Sequence, residues 1–372
     1  MNNFKLRRKA DNTIPIVGFA LSLVGLVMIL SSSQVMAADK FGNSYYFFIR
    51  QLIAWGVGAG AFMYFLKLPL EVLYENRTRL LWITVVGLLL VFVPIIGPKI
   101  AGVHRWINLG FFQFQPAEMA KLFMIIFFSG FFASRAQQMN EPTKVLVPFV
   151  VILGLIGILV MAEPDLGTTF IILVTSMTIF FVARANLLQY FALCIAGIVL
   201  LFALIFSADY RTERLMSFVN KANNSADTLG EAYHTHQALI AVGSGGLWGV
   251  GFGQGTSKYA YLPQAHTDSI FAVVAEELGF MRTAVILAAY IYLGWRGFLI
   301  ARKANSRFVQ LLAVGLSTVF VSQALVNISG MLSILPLTGV PLPFISYGGS
   351  SLIISLASLG LLTNISRETV DS

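Results

Sequence analysis

From Phe308 to Ser366 the chain carries no Asp, Glu, Lys or Arg. A water-soluble domain does not leave so long a stretch uncharged, because about a quarter of an average soluble sequence is charged and that charge keeps its surface dissolved. The rest of the chain agrees: 57% of its 372 residues are hydrophobic, 11% are charged, and the mean hydropathy is +0.79. Only a bilayer offers such a surface a compatible solvent. Intrinsic disorder is excluded too, since it requires low hydrophobicity and this chain holds 31 Phe, 12 Tyr and 5 Trp.

The charges that do occur punctuate apolar runs whose lengths suit the roughly 20 helical residues that cross a hydrocarbon core. The pattern predicts an all-α polytopic membrane protein with about ten transmembrane helices. These fall at approximately 14–37, 47–66, 80–97, 117–134, 145–162, 166–183, 187–206, 270–300, 308–328 and 345–365. Membrane strands would alternate apolar and polar residues, whereas Trp82–Ile96 is continuously apolar. The first run reads as a retained span rather than a signal peptide, because it is longer than the 7–15 apolar residues a signal peptide uses. The single cysteine, Cys194, allows neither an intramolecular disulfide nor a cysteine-based zinc site.

Orientation follows from the basic residues. Lys5, Arg7, Arg8 and Lys9 precede the first span, and an even number of spans places both termini on one side. Lys67, Arg77, Arg79, Arg135, Lys144, Arg184, Arg296, Arg302, Lys303, Arg307 and Arg367 fall on that same side, against Lys40, Arg50, Lys99 and Arg105 in the short loops opposite. This bias predicts cytoplasmic termini. It also accounts for the net charge of +8 without invoking nucleic acid as a partner.

The connection from about 207 to 268, between spans seven and eight, is too long to be a simple link and is expected outside, where loops of that length have a function. It contains His234, His236 and His266 and a glycine-rich run from Gly243 to Gly255. With no strand before it, that run reads as a close-packed re-entrant loop and not as a phosphate cradle. His234 and His236 do not share a helix face and no third ligand is placed by spacing, so no metal site is expected there.

Charges inside spans are costly and are functional candidates by default. Glu118 and Lys121 stand three residues apart on one helix face and can pair. Glu163-Pro164-Asp165 forms a turn between two spans. Glu276, Glu277 and Arg282 lie near the outer end of the eighth span, and Asp268 stands at its entrance.

Four blocks now resemble one family. They are Gln115-Pro116-Ala117-Glu118-Met119-Ala120-Lys121, Glu163-Pro164-Asp165-Leu166-Gly167-Thr168, Tyr261 to Asp268 followed by Ala275-Glu276-Glu277-Leu278-Gly279, and Pro341 to Ser351. Their order, on a ten-span frame with a long outer loop between spans seven and eight, is similar to the FtsW/RodA/SpoVE (SEDS) proteins. The resemblance covers residues 1–372 as one SEDS-type membrane domain and leans toward the FtsW branch, the division-type enzymes, over the elongation-type RodA branch.

The resemblance implies a multi-pass peptidoglycan glycosyltransferase of the bacterial cytoplasmic membrane. It would polymerise lipid II on the outer face, among membrane lipids, beside a class B penicillin-binding protein and other divisome or elongasome proteins; a lipid II flippase is the alternative. The family's catalytic aspartate falls on Asp268, and its paired acid and base on Glu118 and Lys121. Arg105, Lys258, His266, Glu277, Ser346 and Tyr347 are the remaining candidates for the substrate cavity. Arg105, Lys258, Arg211 and Arg214 are candidates to neutralise the leaving pyrophosphate, with a divalent cation as the alternative and no other cofactor. The chain departs from the family at Ser269, where Phe is usual, and at Tyr233-His234-Thr235-His236-Gln237, where a Tyr-Gln pair is more common. The partner is expected on spans eight and nine, through Ala284, Ala288, Ala289 and Gly294.

Overall fold

The computed structural model describes residues 10–368, apart from 101, 111, 207–211, 213–215, 217–230, 259–261 and 263. The described residues are almost wholly helical: α1 Thr13–Phe41, α2 Tyr46–Lys67, α3 Leu70–Leu90, α4 Pro116–Ser134, α5 Leu146–Ala162, α6 Leu166–Val182, α7 Leu187–Phe206, α8 Glu231–Ser244, α9 Ile270–Arg302, α10 Arg307–Met331 and α11 Gly349–Ile365. The one sheet among them is a two-stranded hairpin, β1 Ile107–Asn108 with β2 Gln113–Phe114. Six helices are long and apolar enough to cross a bilayer, namely α1, α2, α4, α9, α10 and α11, and α5, α6 and α7 are shorter apolar helices. Backbone amides and carbonyls have no water to bond in hydrocarbon, so a chain of this composition must satisfy them within helices.

Short connections follow α1, α2, α5, α6 and α9, and the bundle has two ends. At one end Asp11 bonds through its amide to Ser366 Oγ and through its carboxylate to Arg296, tying the start of the described chain to α9 and the turn after α11. We call this the terminal end. The other, the loop end, gathers residues 91–115, the Glu163–Asp165 turn, the segment before α9 and the 332–348 loop.

The centre of the bundle is α10 with α11, whose faces are buried almost all round, and α4 beside them. In lipid, helices associate by close packing more than by expulsion of water. A Cβ at Gly360 on α11 would lie 2.4 Å from the carbonyl oxygen of Phe62, so only glycine lets α2 lie this close. Phe128, Phe132, Phe149 and Phe180 fasten α4, α5 and α6, with ring centroids 4.8–5.4 Å apart.

Two expectations shift. The third span, read as 80–97, is a helix over Leu70–Leu90. Pro69 sets its start, its first turns carry Glu71, Glu75, Arg77 and Arg79 out of the apolar slab, and Pro94 and Pro98 stop the chain from continuing as helix. The face of span nine expected to meet a partner is buried inside the bundle, and Gly294 packs on Val321 of α10, where a Cβ would lie 2.4 Å from its Cγ2.

The glycine-rich run is built into α9. That helix breaks at Gly279, at φ 77° and ψ 176°. The break frees the carbonyls of Glu276 and Glu277 and the amides of Phe280 and Met281, which an unbroken helix would pair with each other. Val250 N and Gly251 N donate to those two carbonyls at 3.0 and 3.2 Å, while the two amides donate to Gly246 O and Leu247 O at 2.9 and 3.2 Å. Such an approach excludes side chains: a Cβ at Gly279 would lie 2.1 Å from Gly249 N.

Candidate functional site

The loop end assembles around residues 336–348. Asp268 immediately precedes Ser269, the N-cap of α9, and is half-buried. Its backbone carbonyl accepts from Asn327 Nδ2 at 2.9 Å, and the same nitrogen donates to Val340 O at 2.8 Å. One amide of α10 thus pins both the entrance of α9 and the proline-rich loop. Gly339, with φ 69°, brings that loop against the carboxylate, since a Cβ there would lie 3.5 Å from Asp268 Oδ2.

His266 turns inward. Its ring is buried beside Phe47, with centroids 4.3 Å apart, and its carbonyl accepts from Tyr347 N at 2.9 Å. Burial, with Lys40 adding to it, pushes the imidazole down to about 4, so at neutral pH it is uncharged and does not serve as a cation. Ser346 Oγ accepts from Leu342 N at 2.8 Å, and its carbonyl accepts from Gln51 Nε2 at 3.2 Å. Tyr347 stacks edge-on against Phe47. These three residues therefore shape the loop and join it to α2.

Glu118 and Lys121 form the pair expected from their spacing, 2.9 Å apart with side chains 3% and 5% exposed. Lys121 Nζ also donates to Gln323 Oε1 at 2.8 Å, and Gln323 Nε2 donates to Pro341 O at 2.8 Å. The intramembrane pair is thereby wired to the same loop that lies against Asp268.

The Glu163–Asp165 turn abuts the loop, because a Cβ at Gly167 would lie 2.7 Å from Thr338 O. Asp165 caps α6, with Oδ1 accepting from Thr168 N at 2.9 Å and Oδ2 from Gln115 Nε2 at 3.2 Å. Arg105 donates from Nε to Glu163 O at 2.7 Å and from Nη2 to Pro164 O. Among the described residues its hydrogen bonds go to turn carbonyls. Glu163 is fully buried and neither carboxyl oxygen has a hydrogen-bond partner among the described residues. Burial, then the neighbouring Asp165, pushes its acid up to about 9 against the opposing pull of Arg105, so it carries its proton at neutral pH.

Lys258 and Glu277 belong to a second cluster, beneath the break in α9. Lys258 Nζ pairs with Glu277 Oε1 at 2.9 Å and donates to Ser31 Oγ and Gly253 O at 3.1 and 2.6 Å. Glu276 accepts from Thr256 N at 2.8 Å and from Ser257 Oγ. Both acids hold the segment 253–258 against α9, and Lys258 is part of that anchorage. Arg211 and Arg214 lie outside the described residues, as do Tyr261 and Pro263 of the motif. Among the described residues no group of three or more His, Cys, Asp or Glu gathers as a ligand set.

Asn327, Gln323, Gln51 and Gln115 organise the site without having stood out in sequence. For Asn327, Gln323 and Gln51 the signal was present, as amides lying within helical spans, where an unsatisfied polar group costs several kcal/mol and so must have a partner, while Gln115 opens the motif block before α4.

With this geometry in view, the chain was compared with known proteins. The model of the FtsW/RodA/SpoVE family, described as cell cycle protein, matches residues 11–371. Stage V sporulation protein E of Bacillus subtilis is 36% identical over 357 residues, covering 96% of this chain and 97% of that protein. A probable peptidoglycan glycosyltransferase FtsW of Halothiobacillus neapolitanus is 38% identical over 365 residues, covering 97% and 87%. Among solved structures, a chain from work on the structural coordination of polymerization and crosslinking by a peptidoglycan synthase complex superposes with a TM-score of 0.76 at 26% identity, covering 96% of this chain and 98% of that one. The rod shape determining protein RodA of Thermus thermophilus superposes with a TM-score of 0.71 at 26% identity over 100% of both chains. Full-length agreement in sequence and in fold leads to one conclusion: this multi-pass membrane protein belongs to the FtsW/RodA/SpoVE family.

Proposed function

We propose that the chain is a peptidoglycan glycosyltransferase that polymerises lipid II at the outer face of the bacterial cytoplasmic membrane. The observation that carries this reading is Asp268, a half-buried carboxylate at the loop end, with its backbone fixed by Asn327 and its side chain against Gly339. The 4-hydroxyl of an acceptor N-acetylglucosamine attacks the anomeric carbon of a lipid-linked N-acetylmuramic acid. A new C–O bond forms while the bond to the pyrophosphate oxygen breaks, and undecaprenyl pyrophosphate leaves with the electron pair. Asp268 takes the hydroxyl proton as general base, a contribution of about 10²–10⁴-fold.

The partner we propose is a single-span class B penicillin-binding protein on the lipid-facing flank of α9. Val285, Ile291 and Trp295 are 68%, 69% and 56% exposed there, with the small Ala288 between them. The proline-rich loop, wired to Glu118 and Lys121, forms the wall against which the sugars bind.

A flippase is the second reading, favoured by the break in α9 and its re-entrant loop, since broken helices line transporter sites. One experiment separates the two. Purified protein, alone and with its penicillin-binding partner, is assayed for polymer from lipid II and for lipid II movement in vesicles, beside Asp268→Asn. Polymerisation abolished by Asp268→Asn, with melting temperature kept, is the expected result. Lipid movement without polymer would replace the polymerase reading with the flippase one.

A further inference from the structure

Two side chains on either side of the entrance to α9 touch each other. His234 Nε2 lies 2.6 Å from Ser269 Oγ, joining α8 of the long outer connection to the N-cap of α9. His234 stands on the inward stripe of α8: Ala238 and Ala241, four and seven residues on, are 0% and 2% exposed. Ser269 is itself 0% exposed. The small, buried Ser269 hydroxyl meets the imidazole between the two helices with a directional bond. A hydrogen bond of this kind fixes orientation as well as distance.

Its place along the chain gives the contact a consequence. Asp268 is held on one side through its own carbonyl by Asn327 of α10, and on the other side its next residue, Ser269, is held by His234 of α8. We propose that His234 is a positioning residue for the glycosyl transfer, acting through Ser269 to hold the Asp268 carboxylate at the acceptor hydroxyl. The proposal rests on Asp268 being the base. A general base must sit within hydrogen-bond reach of the proton it takes, and a displacement of 1 Å can cost about 10²-fold. Acting through Ser269 and not on the substrate, His234 would on its loss lower kcat and leave KM alone.

The test is a double-mutant cycle on lipid II polymerisation by the full chain with its penicillin-binding partner. Ser269→Ala and His234→Ala each lower kcat about tenfold at unchanged KM, and the double variant is no slower than the slower single. His234→Gln, whose amide can still reach the hydroxyl, and Ser269→Thr, which keeps it, recover most of the rate. Losses that multiply in the double variant, losses that follow melting temperature, or conservative variants as slow as the alanines would each overturn the proposal. Failure of the site reading shows separately, as polymerisation by Asp268→Asn. Failure of the pair alone leaves Asp268→Asn inactive and both alanine variants at wild-type rate.

Discussion

Lys258 and Glu277 form an ion pair of 2.9 Å with side chains only 5% and 0% exposed, and Gly253 lends it both its amide and its carbonyl. The pair stands beneath the break of α9 and fastens the glycine-rich loop to α1 through Ser31. Breaking a buried pair by removing one partner strands the other charge, at about 3–5 kcal/mol. Lys258→Ala and Glu277→Ala are therefore each expected to lower the melting temperature sharply in detergent. Lys258→Met combined with Glu277→Leu should recover a large part of that loss, which thermal unfolding followed by fluorescent size-exclusion chromatography would measure.

Gly279 permits no side chain. At φ 77° and ψ 176° the backbone lies in a region essentially reserved for glycine, where other residues are strained by about 1–3 kcal/mol. A Cβ would also meet backbone atoms of Gly249 and Trp248 at 2.1 and 2.4 Å, and backbone cannot step aside as a flexible side chain would. Gly279→Ala should fail to give a monodisperse peak, whereas Gly56→Ala, at a position with open space around it, should elute as wild type.

Glu163 makes stability depend on pH in a direction opposite to an ordinary paired acid. Its proton leaves at about 9 in the folded protein, against 4.5 for an unperturbed glutamate. Between those values the folded state holds a proton the unfolded state has lost, so stability falls as pH rises through the window and levels off above it. Glu163→Gln keeps the shape and removes the titration. Its melting temperature should exceed that of wild type by an amount that grows from pH 6 to pH 9; a constant difference across that range would contradict the buried, protonated acid.

Topology is open to direct labelling. In a Cys194→Ser background, Asn43→Cys sits at the exposed loop end and Asn305→Cys at the exposed terminal end. An impermeant maleimide applied to intact cells should modify the first and spare the second until the membrane is opened. The reverse pattern would invert the orientation read from the basic residues.

The helical frame was legible because hydrocarbon thickness fixes span length, so apolar runs and the charges between them carry the pattern directly. Legibility failed where other physics decided. α3 starts at Leu70 because four charged residues can extend beyond the slab at a helix end, which a hydropathy reading counts as loop. α8 lies in the connection that composition marks as polar, and its burial depends on α9, far along the chain. Glu118 and Lys121 were visible as an i, i+3 pair, but their third partner Gln323 was not, since contacts between distant helices leave no local period. Arg105 and Lys258 stood out in sequence as cations, but the turn carbonyls and the acid they contact are set by residues far away in the chain and leave no local pattern.

The two helices joined by the Glu163–Asp165 turn have 17 residues each, whereas α1 and α9 have 29 and 33. At 1.5 Å per residue the short pair is about 26 Å long, against a hydrocarbon core of about 30 Å. A bilayer thins to meet a short hydrophobic wall. A bilayer meeting both walls would be full depth beside α1 and thinned beside α5. With the proposed site at the loop end, thinning at the turn that abuts the 336–348 loop would lower a lipid-anchored sugar toward that loop, and rates in bilayers of graded acyl length are expected to fall as the chains lengthen.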